Sequence, residues 1–305
     1  MREWLTYALY RIGAGAVGVL PEFVVRRLGM FGGWLSWLWA KDRKTMAIRH
    51  MRRVLGPEAN HAKVARAMFS AYGRYWAETF WFRPRRVEGV RRHVTVTGGH
   101  HLARANAEGR PIVVALPHLG NWEMAASAAS DLEVRVTTVA EALSNQRVLD
   151  WFLAFRASLD IDVLLAEKGA TTMKGLLQAL KAGQLVALVS DRDLGGKGVE
   201  VEFFGEKTTL PGGPAALALR TGAVLLPVAA YFKRGRGHLV VIEDPLPLPP
   251  QGSRQDKVEA LTQQLAHAFE RLIRHAPSQW HLVQPNWPSD YDFVTARSVD
   301  DSGPA

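Results

Sequence analysis

A histidine and a glutamate stand close together after an apolar run, a spacing that could support acid–base chemistry. The run PIVVALP at 111–117 leads directly into His118, and Gly120, Asn121 and Glu123 follow within the next five residues. A carboxylate bonded to one imidazole nitrogen fixes the tautomer of the ring, so the other nitrogen can take a proton from a hydroxyl. The motif holds no serine or cysteine, which favours attack by a hydroxyl of the substrate over a covalent enzyme intermediate. On spacing alone, a helix-capping histidine with a solvated glutamate is the alternative.

A second carboxylate follows another apolar run. The run QLVALVSD at 184–191 ends on Asp191, and Arg192 and Asp193 come next in the chain. Ligands of open α/β sheets gather at the carboxyl edge of the strands, so two such strands would bring His118 and Asp191 to one rim. A surface ion-pair cluster of Asp191, Arg192 and Asp193 is the alternative.

Both motifs lie where short β-branched runs alternate with helical stretches. This alternation predicts an α/β fold with a mostly parallel or mixed central sheet flanked by helices. Residues 199–203, VEVEF, alternate with period two, which indicates a half-exposed strand in a hairpin. We expect strands at 94–98, 111–117, 134–140, 162–166, 184–191, 223–232 and 238–244, and helices near 61–82, 99–108, 121–130, 145–159, 170–182, 212–221 and 254–275.

The positive charge of the chain, +9 in all, is concentrated in its first third. Residues 1–110 hold 20 Lys and Arg against 7 Asp and Glu, a balance of +13, whereas residues 111–305 hold 18 against 22. Six of these basic groups fall at 41–53 and five arginines fall at 83–92. Basic surfaces attract phosphate groups, in nucleic acid or in lipid.

The N-terminal segments favour lipid. Residues 4–20 and 28–40 are mostly apolar and hold four of the ten tryptophans, but they are only 17 and 13 residues long, and Arg11 interrupts the first. Spanning a bilayer takes about 20 apolar residues. Tryptophan beside Lys and Arg on short apolar helices is typical of segments that lie in the headgroup plane, so we expect a peripheral or monotopic protein. Core helices with a basic face, or a signal peptide, are the alternatives.

Several other classes of chemistry are disfavoured. The chain has no cysteine and no set of His and acidic residues at zinc-ligand spacing, so we expect no metal. It contains neither a Walker motif nor a GxGxxG fingerprint, so we expect no nucleotide cofactor. A nucleic-acid-binding module would spread its aromatic residues through a basic groove, whereas here they gather in short apolar helices, so nucleic acid is not an expected partner.

Three blocks, in order over about residues 60–290, resemble a known family. The block HLGNWEMA at 118–125 matches the His-x4-acid motif of the glycerolipid and lipid A acyltransferases. The block DRDLGGKGVEVEFFGEKTTLPGGPAALALRTG at 191–222 and the block WHLVQPNW at 280–287 are similar to the phosphatidylinositol mannoside acyltransferase branch. The resemblance implies transfer of a palmitoyl-like chain from acyl-coenzyme A, a co-substrate, or from acyl carrier protein, to a mannose hydroxyl of a glycolipid. We expect the protein at the cytoplasmic face of the inner membrane, where the N-terminal helices would bind anionic lipid.

The resemblance also implies roles for individual residues. His118 would be the base, with either Asp191 or Glu123 as its acidic partner, because both acids differ in type from the usual branch pattern. Glu141 and Arg156 match an acid–arginine pair in the cleft. His281 matches a supporting position beside the site, for which a core or capping histidine is the alternative.

Two further residues complete the candidate site. Independently of the resemblance, we expect the backbone N–H groups of Gly120 and Asn121 to stabilise the tetrahedral oxyanion. Arg192 is expected among the substrate-binding residues.

The predicted organisation has three parts: interfacial helices at 1–55, an α/β acyltransferase domain at 56–295 and a flexible tail at 296–305. A lipid A-type late acyltransferase, a non-catalytic lipid-binding protein and a fatty-acyl hydrolase are the alternative functions. The sequence predicts no particular oligomeric state.

Overall fold

A seven-stranded, mostly parallel sheet positions the candidate residues. The computed structural model describes residues 2–127, 135–142, 145–166, 171–193 and 195–300. The strands of the sheet are β1 (Val94–Thr97), β2 (Ile112–Leu116), β3 (Val136–Ala140), β4 (Ile161–Leu165), β5 (Leu185–Val189), β8 (Val224–Phe232) and β9 (His238–Ile242), and a separate antiparallel hairpin is formed by β6 (Val199–Phe203) and β7 (Glu206–Leu210).

The spatial order of the sheet is β1-β9-β8-β2-β5-β3-β4. Every neighbouring pair is parallel except β8 and β9, which are antiparallel. The predicted α/β fold with a mostly parallel central sheet is therefore confirmed, and so is the predicted hairpin that contains the strand at 199–203.

Helices surround the sheet. They are α1 (Arg2–Val19), α2 (Glu22–Ser36), α3 (Lys41–Leu55), α4 (His61–Trp81), α5 (Val87–Arg91), α6 (Gly99–Ala107), α7 (Trp122–Ala125), α8 (Gln146–Ala157), α9 (Thr171–Lys181), α10 (Gly213–Thr221), α11 (Arg254–His275) and α12 (Pro288–Asp300). The helix expected near 121–130 is α7, and residues 128–130 lie outside the described ranges. α12 continues to Asp300, so of the expected tail only residues 301–305 are undescribed.

Side chains of the central strands alternate between two surroundings. On β2, Val113 and Ala115 pack into the larger core, which includes apolar residues of α4, α10 and α11. Val114 and Leu116 point to the opposite face, where α6 contributes to a second apolar cluster. This alternation follows from the two-residue period of a strand, and burial on both faces explains why β2 is apolar throughout.

The N-terminal helices pack on α4 through glycines. Gly33 of α2 is buried, and a Cβ at Gly33 would collide with the Phe69 carbonyl, while one at Gly73 of α4 would collide with the Gly29 carbonyl. Glycine therefore lets the two helix backbones approach each other without intervening side chains. No helix within the described ranges combines the length and the apolar character that crossing a bilayer requires.

We predict that Gly73→Ala destabilises the protein by about 1–3 kcal/mol, because the added methyl group must push α2 and α4 apart. Urea unfolding measures the loss. Gly32→Ala is the matched control: Gly32 is exposed on α2 with open space around it, and alanine should leave stability unchanged or raise it by up to about 1 kcal/mol. Equal unfolding free energies for the two variants would contradict this packing.

Candidate active site

His118 and Asp191 meet at the carboxyl edge of the sheet. β2 and β5 are parallel neighbours with Leu116 opposite Val189, and each functional side chain comes two residues later. Nδ1 of His118 lies 2.6 Å from Oδ1 of Asp191, and the backbone N–H of His118 donates to Oδ2 at 3.0 Å. The strand register therefore unites two side chains that are 73 positions apart in the sequence.

Asp191 is fully buried, and its carboxylate also accepts a hydrogen bond from Nε1–H of Trp280 at 2.7 Å. Burial by itself would raise the pKa of Asp191, but the charge and hydrogen bonds of His118, together with the Trp280 indole, lower that pKa below its ordinary value. Asn286 donates to the backbone carbonyl of Asp191 at 3.2 Å. Asp191 is therefore an ionised acceptor in a fixed position.

The His118 ring can exchange a proton with a bound substrate. Its side chain is 36% exposed, whereas that of Asp191 is sealed from solvent. With Nδ1–H donated to Asp191, Nε2 carries the lone pair, and no described residue bonds to it. Of the two predicted acidic partners, Asp191 is the one in contact with the base.

Glu123 pairs with Arg156 and not with His118. Nη2 of Arg156 lies 2.5 Å from Oε1 of Glu123, and Nε lies 3.1 Å from the same oxygen. Burial alone would lower the pKa of Arg156, but Glu123 raises it above its ordinary value. The prediction of Glu123 as a partner of the base is therefore wrong, because the turn into α7 directs its side chain towards α8. No ion pair joins Glu141 to Arg156 in the part of the chain that the structure describes.

The loop after His118 is held by the chain segment that precedes α12. The Gly120 N–H donates to the Gln279 carbonyl at 2.9 Å, and the His281 N–H donates to the His118 carbonyl at 2.7 Å. These two hydrogen bonds fix the backbone of the loop on both sides of its turn.

The expected role of Gly120 in binding the oxyanion is wrong, because the Gln279 carbonyl already occupies its N–H. Gly120 instead allows the backbone to turn tightly and to pass close to β8. Its φ is +61°, and a Cβ at this position would collide with the carbonyl of Ala230. Only glycine satisfies both conditions without displacing β8.

Asn121 caps α7. Its Oδ1 accepts the N–H of Met124 at 3.2 Å, and its Nδ2 donates to Glu78 at 3.2 Å. The Asn121 side chain is completely buried, and Arg74 holds the other oxygen of Glu78 at 2.7 Å. Asn121 therefore anchors the His118 loop to α4, and its side chain is committed to protein partners.

A cavity of about 490 Å³ opens beside His118. Its charged lining consists of Glu123, Glu141, Arg156 and Arg192, and apolar side chains of β2, β3, β5, β8 and β9 form most of the remaining wall. The volume lies within the range of small-molecule sites, roughly 300–1,000 Å³. Arg192 has no ion-pair partner among the described residues, which leaves its guanidinium available to an anionic or carbonyl oxygen.

His281 lies behind the base and does not line the cavity. Its ring is buried among the rings of Tyr72 and Tyr75, at centroid distances of 5.1 and 5.6 Å. Neither ring nitrogen finds a hydrogen-bond partner among the described residues. Burial and the nearby His118 lower the pKa of His281 to about 3, so its ring is neutral. The support that His281 gives to the site comes through its backbone N–H.

Trp280 and Asn286 both hydrogen-bond to Asp191, and the sequence predicts neither contact. Both residues lie in the block at 280–287, whose resemblance to the family assigns no role to these side chains. An indole N–H that meets a buried carboxylate is a tertiary contact, and no local spacing indicates it.

The arrangement suits base-assisted attack by a bound hydroxyl. Among the described residues that line the cavity there is no serine, cysteine or lysine, and the hydroxyl of Thr138 makes no hydrogen bond to His118. The described residues also contain no group of three or more His, Cys, Asp and Glu side chains that could hold a metal ion.

Comparison with known proteins agrees with this chemistry. The model of the family described as "Bacterial lipid A biosynthesis acyltransferase" matches residues 1–289. The chain belongs to this family. The predicted resemblance is thereby confirmed, and the protein is an acyltransferase.

The more similar relatives belong to one branch of the family. The chain is 37% identical over 287 residues to the phosphatidylinositol mannoside acyltransferase of Mycobacterium tuberculosis (strain CDC 1551 / Oshkosh), covering 92% of this chain and 88% of that protein. It is 33% identical to the protein of that name from Mycolicibacterium smegmatis, over 92% of this chain and 91% of the relative. Identity to the lipid A biosynthesis lauroyltransferase of Escherichia coli (strain K12) is 26%, over 97% and 95% of the two chains.

We predict that Asp191→Asn lowers the rate of acyl transfer by roughly 10³–10⁴-fold, because the amide no longer fixes the Nδ1–H tautomer of His118. Nitrogen chemical shifts of the His118 ring would report the lost tautomer directly. Glu123→Gln is the control, and it should leave the tautomer of His118 unchanged because Glu123 contacts Arg156. A tautomer that responds to Glu123→Gln but not to Asp191→Asn would refute the assignment.

The lowered pKa of His281 predicts that the folded protein loses stability in acid. The pKa of His281 is about 3 when folded and about 6.5 when unfolded, so only the unfolded chain takes up this proton between those values. Stability should therefore fall as pH drops from 6.5 towards 3, with His281 accounting for about 2 kcal/mol of the loss at pH 5. Urea unfolding of His281→Phe at pH 7.5 and 5.0 should show a smaller acid-induced loss than the wild type. Identical losses in the two proteins would count against a buried neutral ring.

Proposed function

We propose that the protein transfers a long acyl chain from acyl-coenzyme A to a mannose hydroxyl of a phosphatidylinositol mannoside at a membrane surface. The observation that carries this proposal is the His118–Asp191 pair at the rim of a largely apolar cavity. The base faces a space suited to an acyl chain, and the acid behind it is buried.

The proposed mechanism is direct. Nε2 of His118 takes the proton of the acceptor hydroxyl while that oxygen attacks the thioester carbonyl. The tetrahedral intermediate then expels the coenzyme A thiolate, which takes the proton back from Nε2 and leaves as the thiol. Asp191 stabilises the imidazolium between the two steps, and Arg192 is the cavity cation available to the oxyanion.

The apolar wall of the cavity supports an acyl donor. Leu185, Ala187 and Val189 of β5 point into the cavity beside Val114 and Leu116 of β2, so the cavity extends along one face of the sheet. Fatty acyl methylenes gain roughly 0.8 kcal/mol each when they leave water for such a surface. Coenzyme A carries several negative charges, and the excess of basic residues at 1–110 favours its approach. Acyl carrier protein, also acidic, is the other donor to be tested.

The choice of acceptor rests on the relatives. Two of them, at 37% and 33% identity, carry the name phosphatidylinositol mannoside acyltransferase, whereas relatives that carry a lipid A name are 24–26% identical. Mannosylated inositol lipid is therefore the acceptor that we propose.

A surface of exposed apolar side chains on α1, α2 and the turn after α2 supports membrane docking. We call it the docking surface; it consists of Trp4, Val19, Phe23, Leu28, Met30, Phe31, Trp34, Leu38 and Trp39. Exposed cations, Arg27 and Arg43 among them, lie in the same helices and in α3. Tryptophan and cations on helices too short to span are suited to the headgroup layer of an anionic membrane, and we propose the cytoplasmic face of the inner membrane.

The function is tested by incubating the purified protein with palmitoyl-coenzyme A or palmitoyl carrier protein and each of three acceptors: mannosylated inositol lipids, lipid A precursors and lysophospholipids. We expect acylated mannoside by mass spectrometry, and His118→Ala should lose transfer while it retains binding of the acyl donor. Acylation of a lipid A precursor alone would replace the proposed acceptor. Free fatty acid as the main product in the presence of every acceptor would indicate a hydrolase instead.

Docking is tested with vesicles of phosphatidylcholine containing about one fifth phosphatidylglycerol. The double variant Leu28→Ser, Phe31→Ser should lose most of its flotation with these vesicles, because both side chains belong to the docking surface. Val294→Ser on α12 removes another exposed apolar group, outside the docking surface, and should float like the wild type. Equal flotation of the double variant and the control would contradict docking through this surface.

A further inference from the structure

A second cavity, of about 360 Å³, lies between α1, α8 and the segment that follows α4. We call it the arginine pocket; it is lined by Arg11, Ala14, Gly15, Arg83, Trp151, Ala154, Phe155 and Ser158. The mechanism uses none of these residues. The pocket contains two guanidiniums, one indole and no carboxylate.

The positive charge of the arginine pocket is not neutralised. Arg83 donates to the Phe82 and Ala14 carbonyls, at 2.6 and 3.1 Å, and these are neutral acceptors. Among the described residues, no ion pair involves Arg11, Arg83 or the neighbouring Arg85. Burial together with Arg85 and Arg11 lowers the pKa of Arg83, which agrees with cations gathered without a counter-ion. A phosphate would supply the missing charge and accept several guanidinium hydrogen bonds.

Helix α8 separates the arginine pocket from the active-site cavity. Trp151, Ala154 and Phe155 of α8, with Ser158 directly after it, recur at three- and four-residue spacing and so line one side of the helix. Arg156 lies on the other side and forms part of the active-site wall. Because a helix is about 10–12 Å across, the two cavities are near neighbours without being one site.

The surroundings of the arginine pocket favour a lipid over a soluble phosphate. Trp4, Arg11, Gly15 and Val19 fall within about 80° of one another around α1, at 3.6 residues per turn. Trp4 is 61% exposed and Val19 is 78% exposed, so apolar groups flank the pocket along the same helix face. A soluble phosphate would gain no binding energy from these apolar side chains, whereas the acyl chains of a lipid would contact them.

We propose that the arginine pocket binds the phosphate of an anionic membrane phospholipid, with Arg11 and Arg83 as its ligands and Trp151 against the headgroup. The choice of a lipid as the source of the phosphate rests on the proposed membrane docking. A lipid held there fixes α1 and α8 at the membrane surface, and α8 also carries a wall of the active-site cavity. The pocket would thereby orient the enzyme towards its acceptor.

The test titrates the full chain with dibutanoyl phosphatidylinositol, which is water-soluble and needs no bilayer. Binding is measured by isothermal titration calorimetry. We expect saturable binding to one site, and no binding of dibutanoylglycerol, which lacks the phosphate. Arg11→Gln and Gly15→Leu should each weaken binding at least tenfold, the first by removing charge and the second by filling the pocket. Gly13→Leu is the matched control, because Gly13 lies on the opposite side of α1 in open space, and it should bind like the wild type.

Three outcomes would overturn the proposal: no saturable binding, equal affinities of Gly15→Leu and Gly13→Leu, or displacement of the lipid by free coenzyme A, which would assign the pocket to the donor. Circular dichroism of each variant checks its fold. Acyl transfer by the wild type is measured in parallel. Acyl transfer without binding of dibutanoyl phosphatidylinositol would refute only the proposed lipid site. Binding of that lipid without acyl transfer would refute only the proposed function.

Discussion

The hydrogen bond between Nδ1–H of His118 and the buried carboxylate of Asp191 is the interaction on which the rest of the site depends. A buried carboxylate without donors is costly, so the surrounding chain must supply them. The register of β2 and β5 supplies the imidazole and the His118 N–H, and the segment before α12 supplies the Trp280 indole. Buried His50 holds this segment to the start of α12, because its ring contacts the Leu282 carbonyl and the Asp290 carboxylate. Asp290 has a pKa far below its ordinary value: although burial raises it, hydrogen bonds from His50 and Arg49 outweigh that effect.

A second buried polar network holds the loop on the opposite side. Glu78 of α4 bonds to Arg74 and to Asn121, and His238 of β9 lies 3.5 Å from the same carboxylate. Burial raises the pKa of Glu78 despite its bonds to Arg74, and burial lowers that of His238 to about 3. The loop that carries the base is thus fixed between two sets of hydrogen bonds, one to α4 and one to the segment before α12. Such preorganisation keeps the imidazole in place without substrate.

The sequence was informative where chemistry follows from strand direction. Apolar runs that end on His118 and Asp191 predict parallel strands, and parallel strands place their carboxyl ends together, so the rim and its two main residues could be anticipated. The pairing of Glu123 with Arg156 could not be predicted from the sequence. The direction of the Glu123 side chain depends on how α7 is oriented, and tertiary packing sets the position of α8. The role predicted for Gly120 is wrong for a similar reason. Its amide direction depends on Gln279, more than 150 positions away in the chain.

The alternation along β2 and β5 gives the two faces of the sheet different surroundings. Val113, Ala115, Val186 and Leu188 belong to the core that stabilises the protein, while the residues between them line the cavity. Substitutions at the cavity-facing positions therefore change the cavity wall, while the residues between them continue to fill the larger core. Under the proposed function, in which this cavity holds the acyl chain, a change of accepted chain length would therefore need substitutions on a single sheet face only, with His118 and Asp191 retained.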